Sequence, residues 1–295
     1  MNKPMNRFLN SAALSLSLVA MTATAADLSD VCPNPLRMAD TGVEGMAPLT
    51  QAFAPFAEDF EATTGLELEM YSLSNRTAAG NALVYDDVEL VFAGPSEFVL
   101  FQRETDVEIL FDIQRPHYGS SFFVPADSDI QSLEDLAGKH VALKDTGSTS
   151  GHIIPSQMLV SAGLDLDRDL RITMAGDARI AAIVNGDVDA MGGGNRDIEK
   201  IQDMDPSGDY RVIAKSDPLP GDPVVIRSSI GADCIDALRS TLQANRDQLW
   251  ESLVSTDRNE DKFLNRDSSL GFEVTADDYQ VVADAYRAAG IDLNE

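Results

Sequence analysis

Apolar side chains recur every three or four positions at Met46, Leu49, Phe53, Phe56 and Phe60, and Gly65 stands just beyond the last of them. That spacing places one apolar stripe on a helix, and the glycine marks its end. Leu66-Glu67-Leu68-Glu69-Met70 then alternates apolar and acidic residues, the period of a half-buried strand. A helical segment over 78–85, an apolar strand over 88–92, a short helix over 95–103 and a strand over 107–113 follow. Helix alternating with strand predicts a mostly parallel sheet covered by helices.

After Arg115-Pro116-His117-Tyr118-Gly119 the alternation starts afresh, with strands predicted over 121–124, 140–144, 170–174, 188–191 and 210–214. Ser132 is placed to cap a helix with Glu134 and Asp135 in its first turn and Gly138 at its end. A second helix carries Ile154, Met158 and Ala162 and stops at Gly163; a third, over 179–185, stops at Gly186. Ser216-Asp217-Pro218-Leu219-Pro220-Gly221-Asp222-Pro223 then interrupts the pattern, because its prolines can continue neither a helix nor a central strand. Beyond it come a strand over 224–227 and helices around 233–243, 247–254 and 276–289, which are expected to pack back on the first unit. The chain reads as a two-lobed α/β protein, each lobe a mostly parallel sheet flanked by helices. Residues 26–116 and 220–295 form lobe 1 and residues 117–219 form lobe 2, with connections near 115–119 and 215–223. Such a layout predicts a cleft between the lobes and a closing motion.

The N-terminus changes the setting. Lys3 and Arg7 precede an apolar stretch over 12–20 and the small residues Ala23-Thr24-Ala25, the layout of a cleavable signal peptide over 1–25 and hence of a periplasmic protein. The stretch is too short, and too interrupted by Ser15 and Ser17, to span a membrane. Losing Lys3 and Arg7 takes the formal charge from −27 to about −29, which argues against nucleic acid or an anionic membrane surface as partner. Cys32 and Cys234 are the only cysteines. In an exported chain an even pair reads first as a disulfide, the alternative being two separate buried thiols. His117, His140 and His152 do not stand at metal-ligand spacings, and nothing implies a cofactor.

The candidate chemistry lies in Gly147-Ser148-Thr149-Ser150-Gly151, between an apolar strand and an apolar helix. Such a run is either a solvated turn or a cradle of hydroxyl and backbone N–H donors for an anion at a helix start. Pro155 sits without cost only near a helix start, so the helix is expected to begin at about 150–152. The N–H groups of Thr149, Ser150 and Gly151 would then point outward, and the helix end adds about half a positive charge.

Several motifs together resemble the phosphonate-, phosphite- and phosphate-binding subunits of ABC importers. They are Gly147-Ser148-Thr149-Ser150-Gly151 with Pro155 and Leu159, preceded by Ser132-Leu133-Glu134-Asp135-Leu136-Ala137-Gly138-Lys139. Ala93-Gly94-Pro95-Ser96 and Asn185-Gly186-Asp187-Val188-Asp189-Ala190 add support, and the likeness runs from about residue 36 to 242. The resemblance implies a type II periplasmic binding fold that closes on a small phosphorus oxyanion, is not an enzyme, and docks as a monomer on an inner-membrane ABC permease. The alternative partner is a histidine kinase, for an oxyanion sensor of the phosphorus or arsenic type. With the resemblance the cradle reading of the loop is favoured, with Ser148, Thr149, Ser150 and Gly151 as the anion site. Tyr118 stands where the family has an aromatic hinge residue; Ser96, Ser74, Asn75 and Tyr71 follow strand ends, where open sheets bind ligands.

Two positions depart from the family. Arg179 stands near where relatives carry a histidine, and its guanidinium either replaces that contact as a bidentate fork or belongs to a surface helix. Arg196 stands near where aminoalkylphosphonate binders carry an acidic residue, which disfavours a ligand ammonium. In so acidic a chain, recognition is expected to rest on neutral donors rather than on long-range attraction.

Overall fold

The computed structural model describes residues 27–42, 45–73, 75, 78–264 and 267–291. The proposed signal peptide and Ser74 lie outside the described residues. In chain order the elements begin with β1 (Leu36–Asp40), α1 (Met46–Thr64), β2 (Leu68–Met70), α2 (Ala78–Val84), β3 (Leu90–Phe92), α3 (Pro95–Glu104) and β4 (Val107–Gln114). There follow β5 (Ser120–Pro125), β6 (His140–Leu143), α4 (Ile154–Ser161), β7 (Arg171–Met174), α5 (Arg179–Val184), β8 (Ala190–Gly194), α6 (Asp197–Met204) and β9 (Tyr210–Lys215). The chain ends with β10 (Asp222–Arg227), α7 (Ala232–Ala244), α8 (Arg246–Leu253), α9 (Asp257–Lys262), β11 (Ser269–Gly271) and α10 (Gln280–Ala289).

These strands form two sheets, ordered β11-β4-β10-β3-β1-β2 and β7-β6-β8-β5-β9. The chain crosses from the first to the second between β4 and β5 and returns between β9 and β10. Both strands that follow a crossing, β5 and β10, run antiparallel to their two neighbours. A strand entering from the cleft side must run away from it, opposite to strands that end there. Asp40 at the end of β1, Phe92 at the end of β3 and Asp222 at the start of β10 therefore meet at one edge. The second sheet presents the ends of β6 and β8 and the start of β5 towards the same space.

Helix α1 forms as its stripe predicts: Leu49, Phe53, Phe56 and Phe60 are buried, Met46 is exposed, and Gly65 ends the helix with a left-handed φ of 73°. It packs against α7 and α8. Cys32 and Cys234 are joined by a disulfide that ties the first described turn to α7.

Four features depart from the sequence expectation. Ser132 starts no full helix; only the single turn Glu134–Leu136 forms, with the Asp135 carboxylate accepting the Gln131 and Ser132 N–H groups. Strand β1 lacks a simple alternation, because Arg37 sits in it as an ion-pair partner of Glu89 at 2.5 Å. Helix α9 reads Asp-Arg-Asn-Glu-Asp-Lys and has no apolar stripe to betray it. Finally, α10 does not pack back on the first sheet alone. It lies against α4 and α3, where Tyr279, Val282, Ala285 and Tyr286 join Phe98, Ile154 and Met158 in one apolar cluster. Tyr279 and Phe98 meet edge to face at 4.7 Å.

Candidate functional site

The cleft between the two sheets encloses a cavity of about 350 Å³. Its second-sheet wall begins where β6 ends. The loop after Lys144 turns at Gly147, whose φ of 84° suits glycine alone. Gly151 packs so closely on Lys144 that a Cβ there would lie 2.4 Å from the lysine Cβ. Thr149–Ile153 opens the helix as one wide π-type turn that runs into α4. His152 and Ile153 both donate their N–H to the Ser148 carbonyl, at 2.9 and 3.0 Å. Thr149, Ser150 and Gly151 thus occupy the opening positions, whose N–H groups precede any intrahelical acceptor. Pro155 falls early in α4 and costs no helical bond.

The three hydroxyls of this loop are not equivalent. Thr149 Oγ1 accepts the Ser96 N–H at 3.0 Å and lies 2.7 Å from Ser96 Oγ, which donates to the Gly147 carbonyl at 2.6 Å. Ser96 is fully buried and stands behind the loop, not in the cleft; it fastens α3 of the first sheet to the loop of the second. Ser148, Thr149 and Ser150 all line the cavity, and the Ser150 carbonyl is held by the Ser120 hydroxyl at 2.9 Å. The Tyr118 phenol reaches the Ser150 and Thr149 hydroxyls; burial pushes its pKa up, against the pull of the Arg115 charge. The Arg115 guanidinium lies over the Tyr118 ring, 3.8 Å from its centroid.

Seven basic and four acidic side chains line the cavity, against 22 Lys and Arg and 49 Asp and Glu in the whole chain. The expectation of a site built from neutral donors is therefore corrected: the cleft gathers positive charge within an acidic protein, and low-dielectric walls focus that field. On the first-sheet wall Asp222 is gripped by Arg115 at 2.8 Å and Lys262 at 3.0 Å. Burial works to raise its carboxyl, but the two cations outweigh that and hold it at about 2. Burial lowers the Lys262 pKa in turn, opposed by Asp222 and Asp40. Arg258 stands 3.7 Å from Asp40.

Arg179 is neither a surface residue nor a free fork. It is 1% exposed, and its terminal nitrogens bind Gly176 O at 2.8 Å, Asp177 at 3.0 Å and Asp197 at 2.5 Å, leaving Nε buried without a partner. Its two end nitrogens therefore hold Asp197 and the loop before α5. Asp197 also accepts the Gly194 N–H at 2.9 Å. Arg196 does line the cleft and reaches across it to α9, 3.6 Å from the Asp261 carboxylate. Asn75 is exposed and lies away from the cavity; its side chain accepts the Ala78 N–H at 3.0 Å at the start of α2. Tyr71 packs half-buried against the apolar cluster. Among the described residues no cluster of three or more His, Cys, Asp or Glu side chains could hold a metal ion. Ser148 has no base beside it, since His152 Nδ1 accepts the Gly147 N–H at 3.1 Å.

Sequence reasoning missed Asp40, Lys144, Asp222, Arg258 and Lys262. Asp222 lay within the quoted proline-rich segment, and Arg115 within the first connection. Nothing in the order of residues marked α9.

Two sheets on either side of a cleft whose charged lining is mainly cationic, joined by two crossings, define a bilobal solute-binding protein. The family described as "ABC transporter, phosphonate, periplasmic substrate-binding protein" matches residues 44–279. The chain is 27% identical over 256 residues to the "Phosphate-import protein PhnD" of Mycolicibacterium smegmatis, covering 77% of this chain and 79% of that one. Among solved structures it superimposes on PhnD1 of Prochlorococcus marinus in complex with methylphosphonate, with a TM-score of 0.70 and 19% identity, covering 88% of this chain and 99% of that one. It superimposes equally on XAC2383 of Xanthomonas citri bound to ATP, with a TM-score of 0.70 and 16% identity, covering 88% and 98%. The chain belongs to the family of periplasmic substrate-binding proteins of phosphonate ABC transporters. It is a ligand carrier, not an enzyme, and its membrane partner is an ABC permease. Among the described residues no helix is long and apolar enough to cross a membrane.

Proposed function

We propose that the protein captures a small phosphorus oxyanion (phosphate, phosphite or a phosphonate), closes its lobes over it, and docks as a monomer on the permease after export through the signal peptide. The observation that carries this reading is the run Ser148-Thr149-Ser150 at a helix start, opening into a cavity whose walls carry more basic than acidic side chains. Hydroxyl and N–H donors fit a tetrahedral oxyanion at short range, and the basic wall draws it in. The Arg196 contact with Asp261 joins the two walls and favours the closed state. Capture of arsenite by a thiol has no support here, because both cysteines are joined in the disulfide and neither lines the cavity.

A thermal-shift panel of phosphate, phosphite, methylphosphonate, arsenate and sulfate on the mature chain tests the reading. A ligand at 100 times its dissociation constant adds about 2.7 kcal/mol, several degrees of melting temperature. Phosphorus compounds are expected to give the largest shift. A shift from sulfate alone, or from none of the panel, overturns the reading.

A further inference from the structure

The first-sheet wall pairs its charges in a layered way. The side chain of Lys262 is 29% exposed, while that of its partner Asp222 is 6% exposed. The side chain of Arg258 is 33% exposed, while that of its partner Asp40 is 2% exposed. In each pair the carboxylate is the more buried partner and the cation the more exposed one, and all four residues line the cavity. At this end four basic side chains, Arg115, Arg196, Arg258 and Lys262, line the cavity with three acidic ones, Asp40, Asp222 and Asp261. Beside them Ser268 lines the cavity, and its buried hydroxyl has no partner. A buried hydroxyl without a partner costs stability unless something fills the role.

The cavity also exceeds what one anionic head needs. At roughly 30 Å³ for a water-sized unit, a volume of about 350 Å³ leaves most of the space empty around a phosphoryl group at the Ser148–Ser150 loop. A chain of side-chain contacts joins the two ends. The Tyr118 phenol touches the loop hydroxyls, Arg115 stacks on the Tyr118 ring, and Asp222 links Arg115 to Lys262.

We infer that the cleft holds two anionic groups of one ligand: a phosphonate head at the Ser148–Ser150 loop and, on a short linker, a second anion against Lys262, Arg258 and Ser268. The ligand class is a short phosphonocarboxylate, and a terminal ammonium is rejected because Asp40 and Asp222 are buried in ion pairs and Asp261 is held by Arg196. This inference rests on the phosphorus-oxyanion reading of the same cleft. The second anion completes the donor set of a wall whose charges are half satisfied by their own carboxylates.

Isothermal titration of the mature chain with methylphosphonate, 2-aminoethylphosphonate, 3-phosphonopropionate and methylenediphosphonate tests it. 3-Phosphonopropionate is expected to bind at least about tenfold tighter than methylphosphonate, the worth of one charge-assisted contact, and 2-aminoethylphosphonate weaker than both. Lys262→Gln and Arg258→Gln are expected to collapse the ratio of the first two affinities towards one. Arg115 still partners Asp222 in Lys262→Gln, and Arg258→Gln serves as the second variant should the first unfold. Methylenediphosphonate exceeding 3-phosphonopropionate assigns the second anion as phosphoryl, and overturns the carboxylate class. Equal affinities of 3-phosphonopropionate and methylphosphonate, or a ratio unchanged in both variants, overturns the inference and leaves the phosphorus-oxyanion reading standing. Failure of every phosphorus compound removes both.

Discussion

On the second-sheet side of the cleft Ser148, Thr149 and Ser150 are consecutive, uncharged and held by a helix start. On the first-sheet side Arg115, Asp222, Arg258 and Lys262 come from three separate segments and are all charged. The Ser148–Ser150 loop offers donors that need no counter-charge and act only at contact. The first-sheet wall keeps two cations on one buried carboxylate, so it acts at a distance but stands only while that carboxylate is present. The difference teaches that an acidic protein can still present positive charge to an anion when basic side chains from both walls are gathered around one cleft.

The largest expected effect breaks the charged wall. Asp222→Asn leaves Arg115 and Lys262 without their shared partner and should cost about 3–5 kcal/mol in urea unfolding of the unliganded protein. A variant as stable as the parent would show that Asp222 does not hold this wall.

The disulfide belongs to neither wall and calibrates both. Replacing Cys32 and Cys234 with alanine together should cost about 2–4 kcal/mol, with ligand affinity unchanged by titration. A loss of affinity would mean that the tie to α7 reaches the cleft.

Within the hydroxyl loop the comparison sharpens further. Thr149→Val removes the acceptor of the buried Ser96 N–H and should lower unliganded stability by about 1–3 kcal/mol. Ser150→Ala should leave that stability nearly unchanged and weaken the best ligand by roughly tenfold. Equal stability losses in the two variants would erase the distinction between a fastening hydroxyl and a binding one.

The smallest effect concerns pH. Asp112 on β4 is buried, one of its oxygens has no partner, and burial with the nearby Asp222 and Asp278 charges raises its carboxyl to about 6. An unfolded aspartate titrates near 3.8. Below that value both states hold the proton; between the two only the folded state does; and the stability so conferred is lost as pH rises through about 6. Asp112→Asn should therefore melt a few degrees above the parent at pH 7.5 and show no advantage at pH 3.5. An advantage independent of pH would assign the effect to packing. Asp222, one strand away and held at about 2, has the opposite slope: its contribution is full above pH 3.8 and lost as pH falls through about 2.

What the order of residues determined is whatever depends on neighbours in the chain. The stripe of α1, the alternation before β2, the glycine that ends the helix and the hydroxyl run at the start of α4 are all local, and each is found where the pattern puts it. The interruption at 216–223 is local as well, and the chain does cross between sheets there, although Asp222 and Pro223, expected outside any central strand, already belong to β10 between β4 and β3. Even the pairing of two cysteines needs only their number and the compartment.

Tertiary structure alone decided the rest. Helix α9 has no apolar face: Arg258, Asp261 and Lys262 line the cleft, the buried Asn259 bonds the Ala52 and Leu253 carbonyls, and Asp257 and Glu260 are exposed, so periodicity could not reveal it. Helix α10 shows an ordinary apolar stripe, which says that it is buried but not against which sheet. Arg179 reads as a free cation in the sequence, and only folding brings Asp197 within 2.5 Å of it. The sign of the cleft could not be summed from composition, since 22 basic residues among 49 acidic ones give a negative total wherever they stand. Charge acts through distance and burial, and both are set by which distant segments the fold brings to one surface.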